Sequence, residues 1–175
     1  DLPTPTAVIM SMSTFLRSAG GLIMFISIIA IVVLMKFFIA KSYNFRKSWH
    51  AFTLKLPVFG NLLQKSILAK VSMVLGNLNQ AGVDLIESID IAKSVTENVI
   101  VVESLENIKK GVFSGETLTD LFRKEKIFPS TFSQLIAVGE QTGSLDDMFG
   151  SVATYYEEEF DVAVGNLSSL IEPIM

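Results

Sequence analysis

The stretch Gly20–Ala40 reads GGLIMFISIIAIVVLMKFFIA, and its only charged residue is Lys36, near the C-terminal end. A helix over these residues rises roughly 31 Å, which matches the hydrocarbon core of a bilayer at about 30 Å. A helix also pairs its backbone N–H and C=O groups within the segment, as lipid requires. The sequence therefore predicts a transmembrane helix over 20–40. A buried core helix is the alternative, and a cleaved signal peptide fits less well because the apolar run is long and has no small-residue cleavage site.

The charges on either side of this stretch predict its orientation. Residues 1–19 contain a single basic residue, Arg17, whereas a run of basic residues without an acid follows the apolar stretch: Lys41, Arg46, Lys47, Lys55, Lys65 and Lys70. Flanking Lys and Arg stay on the cytoplasmic side of a membrane. We therefore expect 1–19 to be a periplasmic stub, for which an amphipathic conformation is one option, and 41–56 to be a basic juxtamembrane segment. His50 lies in that segment and is predicted to be solvated or at headgroup level rather than a ligand.

The composition limits the classes of function. The chain has 175 residues, half of them hydrophobic, which allows one membrane helix and one cytoplasmic domain of ordinary size over 57–175. It has no cysteine, so disulfides, thiolate metal sites and cysteine nucleophiles are excluded. Every acidic residue except Asp1 lies within 84–175, whereas 1–83 contain eight of the fourteen basic residues. This distribution favours an anionic membrane surface as a partner and argues against nucleic acid.

The pattern after Pro57 is helical throughout and is interrupted by glycines. Apolar residues recur at spacings of three and four, and Gly82, Gly115 and Gly143 stand where helices are expected to end, with Gly139 beside the last of these turns. The six predicted helices cover approximately 58–80, 84–95, 98–113, 117–124, 130–140 and 145–171. The predicted fold is therefore all-α, with one transmembrane helix followed by a six-helix cytoplasmic bundle.

The residues that could carry chemistry are carboxylates. Glu140, Asp146 and Asp147 flank the glycine turn at Gly143. They are explained either as helix caps and local pairs or as an acidic contact surface for a basic patch on a partner. The acids over 157–161 are predicted to form a solvated helix face. The run from Gly139 to Gly143 superficially resembles a phosphate-binding loop, but it has no lysine and joins two helices. No Walker loop, nucleophile elbow or zinc signature is present, so we expect no catalysis, cofactor or metal.

The segment Ile136–Met148, IAVGEQTGSLDDM, resembles the signature of the platform proteins of type II secretion and type IV pilus assembly. The pattern is an apolar residue, two variable residues and then Gly-Glu-x-x-Gly-x-Leu-Asp-x-Met/Leu. Weaker similarities follow in the family's order along the whole chain: Leu2–Pro5, Leu56–Gly60, Asn77–Leu85, Gly115–Leu118, Phe128–Pro129, Tyr155–Glu159 and Glu172–Pro173. The family resembles two copies of a six-helix cytoplasmic domain interleaved with three membrane helices. This chain resembles the second copy, so the first cytoplasmic domain and the first and last membrane helices are expected outside it.

The resemblance implies a mechanical role in the bacterial inner membrane, with the bundle in the cytoplasm. Its expected partners are a cytoplasmic assembly ATPase, pilins or pseudopilins, other inner-membrane assembly proteins and the lipid bilayer, and a homo-oligomer is expected. The ATP chemistry would belong to the ATPase. Two other classes remain open from the residues alone: a membrane-tethered helical adaptor or sensor unrelated to secretion, and a membrane enzyme that uses the carboxylates. A carboxylate with a raised pKa in a closed apolar pocket would favour the enzyme.

Overall fold

The computed structural model describes residues 19–171, and every regular element within that range is an α-helix. The helices are α1 (Ala19–Lys41), α2 (Tyr43–Lys55), α3 (Phe59–Gln80), α4 (Leu85–Ser94), α5 (Val99–Phe113), α6 (Leu118–Lys124), α7 (Ser130–Thr142) and α8 (Leu145–Ile171). The predicted all-α class is thus confirmed, and the six predicted bundle helices agree with α3 to α8 within two residues at each end. Residues 1–18 of the stub predicted over 1–19 lie outside the described residues, as do the motifs at Leu2–Pro5 and Glu172–Pro173.

The chain divides into two compact units, with the boundary between Arg46 and Lys47. The first unit contains α1, which confirms that the apolar stretch is helical, and its large side chains are mostly exposed. Within the described residues, no single helix is long and apolar enough to qualify as a membrane span. Helices α2 and α3 reach the length and hydropathy of a membrane span only when they are taken together, and the chain bends by 106° between them.

The second unit begins within a helix that the sequence analysis did not predict. Most of the segment 41–56, expected only as a basic juxtamembrane stretch, forms α2. Two polar contacts join α2 to α5: the Val99 N–H donates to His50 Nδ1 at 3.0 Å, and Lys47 Nζ lies 2.5 Å from Glu103 Oε2. Helix α2 buries no residue fully, so no buried apolar face marks it as part of the bundle.

The centre of the second unit is the antiparallel pair α3 and α8. Lys65 near the start of α3 forms an ion pair with Glu159 of α8 at 2.7 Å, and Gly76 near the end of α3 lies against Phe149 and Gly150 near the start of α8. A Cβ atom at Gly76 would lie 3.2 Å from the Gly150 nitrogen. The absence of a side chain therefore allows the two helix backbones to approach closely at this crossing.

An aromatic cluster fills the core beside this pair. The Phe122 ring lies 4.8 Å from the rings of both Phe128 and Phe132, and 6.3 Å from that of Phe149. All four rings are buried, and they come from α6, the loop after it, α7 and α8. Packing of this kind joins the short helix α6 to the longer helices, because buried aromatic side chains contribute more apolar contact area than any other type.

Three helices end in the same way. The backbone at Gly82, Gly115 and Gly143 has φ of 78°, 80° and 73°, the left-handed region in which glycine alone is unstrained. The residue after each glycine donates its N–H to a carbonyl five residues earlier, the long bond of a Schellman motif: Val83 to Leu78, Glu116 to Gly111 and Ser144 to Gly139. The three predicted turn glycines are therefore confirmed as helix C-caps.

Candidate functional site

Glu140 lies on the last turns of α7, and its carboxylate is bound inside the fold. Oε1 accepts the Leu118 N–H at 2.7 Å, and Oε2 accepts both the Thr119 N–H at 3.1 Å and the Thr119 hydroxyl at 2.7 Å. The side chain is half-buried. Glu140 thus caps the N-terminus of α6 from a different helix, with its negative charge at the positive end of the α6 dipole.

This contact completes the hydrogen bonding at the start of α6. The first backbone N–H groups of a helix have no partner within it and need one elsewhere. Glu140 accepts from Leu118 and Thr119, while Thr117 accepts from Asp120 through its hydroxyl and from Leu121 through its carbonyl. All four amides therefore have partners, and the two motifs Gly115–Leu118 and Gly139–Gly143 are parts of one structural unit.

Gly139 has a different role from the turn predicted for it. It lies within α7, its carbonyl accepts the Gly143 and Ser144 N–H groups, and it faces α8. A Cβ atom at this position would lie 2.7 Å from Met148 Cγ and 2.8 Å from Met148 Cβ. Glycine is therefore required here by the close packing of α7 on α8, just before the turn that joins these two helices.

Asp146 and Asp147 occupy the first turn of α8, where negative charge interacts favourably with the helix dipole. Both line an open groove of about 580 Å³ between α3 and α8, which we call the acidic groove. Its other lining residues are mostly polar or small: Gly76, Asn77, Gln80, Gly150, Ser151, Thr154, Tyr155 and Glu158. Three carboxylates and no basic side chain line this groove. Its chemistry suits Lys or Arg side chains of a partner rather than an apolar ligand.

The structure therefore separates the three acids that the sequence placed together. Glu140 does not line the acidic groove, and its acceptor oxygens are used by α6. Asp146 and Asp147 are available on the surface of the groove. The interaction role predicted for all three remains a prediction. Asp146 and Asp147 could contact a partner directly, whereas Glu140 supports the turn between α7 and α8.

Sequence reasoning missed the structural role of His50. Its Nδ1 accepts the Val99 N–H at 3.0 Å and so caps the first turn of α5, in a half-buried position. This contact was not predicted, because its partner is 49 residues away in the sequence and carries no motif. Within residues 19–171, no group of three or more His, Asp or Glu side chains is arranged to hold a metal ion.

Residues 72–175 match the family model described as "Type II secretion system (T2SS), protein F". The chain belongs to this family. It is 35% identical over its whole length to the type IV pilus assembly protein PilC of Pseudomonas aeruginosa, covering 46% of that protein, and 35% identical to the protein of the same name in Thermus thermophilus, covering 43%. It is 30% identical to the type II secretion system protein F of Pseudomonas aeruginosa over 99% of this chain and 42% of the relative. The chain thus spans less than half the length of these relatives.

The resemblance inferred from the motifs is confirmed by these matches. In this T2SS protein F family member, residues 72–175 match the family model. They include both the Glu140 cap on α6 and the acidic groove. Helices α1 and α2 precede the matched residues, but the relatives align with the whole or nearly the whole chain.

Proposed function

We propose that this chain is part of an inner-membrane platform protein that couples a cytoplasmic assembly ATPase to the assembly of pilins or pseudopilins. The observation that carries the proposal is the family match, together with relatives named for type IV pilus assembly and for type II secretion that align with nearly all of the chain. Other inner-membrane assembly proteins and further copies of the same protein complete the proposed set of partners.

The proposed placement is α1 across the bilayer, with residues 1–18 outside and the second unit in the cytoplasm. It is supported by the exposed apolar side chains of α1, such as Phe25 and Ile29, and by the basic residues that follow. Because the chain lacks cysteine, single cysteines at Ser11 and Ser114 can be labelled in intact cells with a membrane-impermeant reagent. We expect labelling from outside at position 11 alone. Labelling at position 114 from outside would show that the orientation is wrong.

The proposed role of the bundle is to transmit force and not to catalyse. The sequence contains no nucleotide-binding motif, and the partner ATPase would supply the chemistry. Conformational work must travel between sites through packed, rigid elements. The antiparallel α3 and α8, which cross closely at Gly76 and share the hydrophobic core, are the longest such elements in the second unit.

The proposed contact for a basic surface of the ATPase is the acidic groove. Its carboxylates would pair with Lys or Arg, and complementary charges of this kind mainly set specificity and association rate. Because groove charges open to solvent are screened by salt, the association is expected to weaken as ionic strength rises. Glu140 would act indirectly, by fixing α6 and the end of α7 against the start of α8.

The test compares two charge reversals on the same helix in the full-length protein. Asp146→Lys with Asp147→Lys changes the groove, and Glu157→Lys with Asp161→Lys changes exposed acids that do not line it. We expect the groove variant to stay folded, to lose pilus or pseudopilus assembly and to retain less ATPase on co-purification, whereas the control variant assembles normally. Normal assembly by a folded groove variant would remove the groove from the proposal, and loss in the control alone would move the contact to the 157–161 face. If no assembly ATPase co-purifies with the wild-type protein, the chain is better described as a tethered adaptor.

A further inference from the structure

The corner between α2 and α3 presents large apolar side chains to solvent. Phe52 is 55% exposed, Val58 50% and Phe59 67%, and we call these three residues the apolar corner. Leu63 and Met73 extend it along α3: they lie four and fourteen positions after Phe59, each within about 40° of it around the helix axis, and both are exposed. An apolar surface of this kind on a folded unit indicates an interaction site.

The backbone at this corner is strained at Val58. Val58 has φ 70° and ψ −60°, and the Phe59 N–H donates to the Pro57 carbonyl at 2.9 Å. This is a γ-turn of the rare, strained form, and a β-branched residue with positive φ is an outlier. Gly60 fixes the turn, since a Cβ there would lie 2.6 Å from the Leu54 carbonyl carbon. Local strain of this type persists only where the surrounding structure imposes it.

A cavity of about 300 Å³, which we call the lysine cavity, lies beside the corner. It is lined by Lys55 and Lys126 together with Ala51, Leu54, Gln64, Ile100 and Ile127, and no acidic residue lines it. Within the described residues neither lysine forms an ion pair or a hydrogen bond, whereas several other lysines of the same unit, such as Lys65 and Lys93, are paired with carboxylates. Two lysines that line one cavity without an acidic neighbour there favour a negatively charged ligand.

We propose that the apolar corner and the lysine cavity together seat the second unit on a bilayer that contains anionic phospholipid. The aromatic and aliphatic side chains would enter the interfacial layer, and Lys55 and Lys126 would hold a lipid phosphate. Lysines near an anionic membrane gain electrostatic attraction from its surface potential, and apolar side chains gain by burial at the acyl boundary. The inference rests on the proposed placement of α1 in the membrane.

The apolar corner and the lysine cavity lie next to each other, and this favours a lipid over a free anion as the ligand. A soluble phosphate would use the lysine cavity but would leave the apolar corner in water. A bilayer interface satisfies both, because its phosphate layer lies directly above its hydrocarbon. The strained Val58 turn would then keep the apolar corner exposed beside the lysine cavity.

The experiment uses the full chain, which has no cysteine of its own, in lipid nanodiscs of phosphatidylcholine with or without phosphatidylglycerol. A nitroxide is attached to one introduced cysteine, and its accessibility to oxygen and to a water-soluble nickel complex reports its depth. The probe position is Phe59→Cys. The matched control is Phe113→Cys, because Phe113 is also an exposed phenylalanine of the second unit, at 74%. Ile29→Cys on α1 reports separately whether the chain is inserted.

We expect the label at position 59 to be immersed in the discs that contain phosphatidylglycerol and the label at 113 to remain in water. The double variant Lys55→Gln with Lys126→Gln should lower the ratio of immersed to exposed label at 59 roughly 30-fold, since each lysine near an anionic surface contributes a factor of about 5. The control double variant Lys110→Gln with Lys124→Gln removes the same charge from lysines that lie beside Glu106 and Glu116. It should leave the ratio unchanged.

Three results would overturn the inference while leaving the proposed function intact, provided that the label at position 29 is immersed. The first is a label at position 59 that stays in water in both lipids. The second is an equal effect of the two double variants, which would indicate non-specific attraction. The third is immersion at 59 in phosphatidylcholine discs on addition of inorganic phosphate, which would show that the cavity recognises the free anion. A label at position 29 in water would instead overturn the membrane placement, and the inference with it.

Discussion

Replacing Glu140 by alanine is expected to release α6 from α7 and to destabilise the second unit. The change removes the acceptor of two backbone N–H groups and one hydroxyl, at distances of 2.7 to 3.1 Å. Leu118 is buried, so water cannot easily replace the carboxylate at its amide, whereas Thr119 is half-exposed and can be partly rehydrated. The effect is therefore unequal at the two amides.

The expected loss follows from these contacts. A buried donor left without a partner costs about 1–3 kcal/mol, so we assign about 2 kcal/mol to the Leu118 amide and about 1 kcal/mol to that of Thr119. The free energy of unfolding should thus fall by about 3 kcal/mol in Glu140→Ala. Glu140→Gln keeps one oxygen acceptor, but its amide nitrogen cannot accept from Thr119, so about half of that loss is expected.

Denaturant unfolding of the full chain in detergent, followed by helical circular dichroism, measures the total change. Amide hydrogen exchange locates it, because a local loss of about 3 kcal/mol accelerates exchange at Leu118 and Thr119 about 100-fold. Glu116→Ala is the control: Glu116 lies nearby and pairs with Lys124, but both side chains are largely exposed, so less than about 0.5 kcal/mol is expected. A Glu140→Ala variant as stable as the control, with both amides still protected, would refute the assignment of Glu140 as a cap.

Three further outcomes can be measured in the same way. Gly143→Val should cost about 2 kcal/mol, because valine is strained at φ 73°, whereas Gln141→Val on the exposed side of the helix should cost about 0.5 kcal/mol, and equal losses would contradict the left-handed cap. Val58→Gly should stabilise the chain by about 1 kcal/mol, because relief of the positive φ exceeds the entropic cost of glycine, and a destabilised variant would show that the turn is unstrained. The hydrogen bond from Lys93 at 2.6 Å lowers the pKa of Glu106, so its contribution to stability is present at neutral pH and is lost as the pH falls below about 4. Lys93→Met should therefore flatten the acid limb of a stability-against-pH curve, and an unchanged limb would exclude this pair as its source.

Features that depend on neighbouring residues were predictable from the sequence. The helix bounds after Pro57 follow from apolar spacing and from glycines that only a left-handed turn explains, and the structure places Gly82, Gly115 and Gly143 in that conformation. The carboxylates around Gly143 were also recognised, but as one group. Helix α2 was not predicted, because it buries no residue fully and because the partners of His50 and Lys47 lie far away in the sequence.

The sequence by itself determined the all-helical class, the apolar helix at 20–40, the turn positions and, through its motifs, the family. These depend on backbone propensity and local spacing, which act over a few residues. Only the tertiary structure decided that Glu140 binds α6, that Asp146 and Asp147 line a groove with α3, and that Lys55 and Lys126 share a cavity. Each of these joins residues separated by about 20 to 70 positions. Which of them meet is fixed by the way the helices pack around the aromatic core, and no local pattern records that packing.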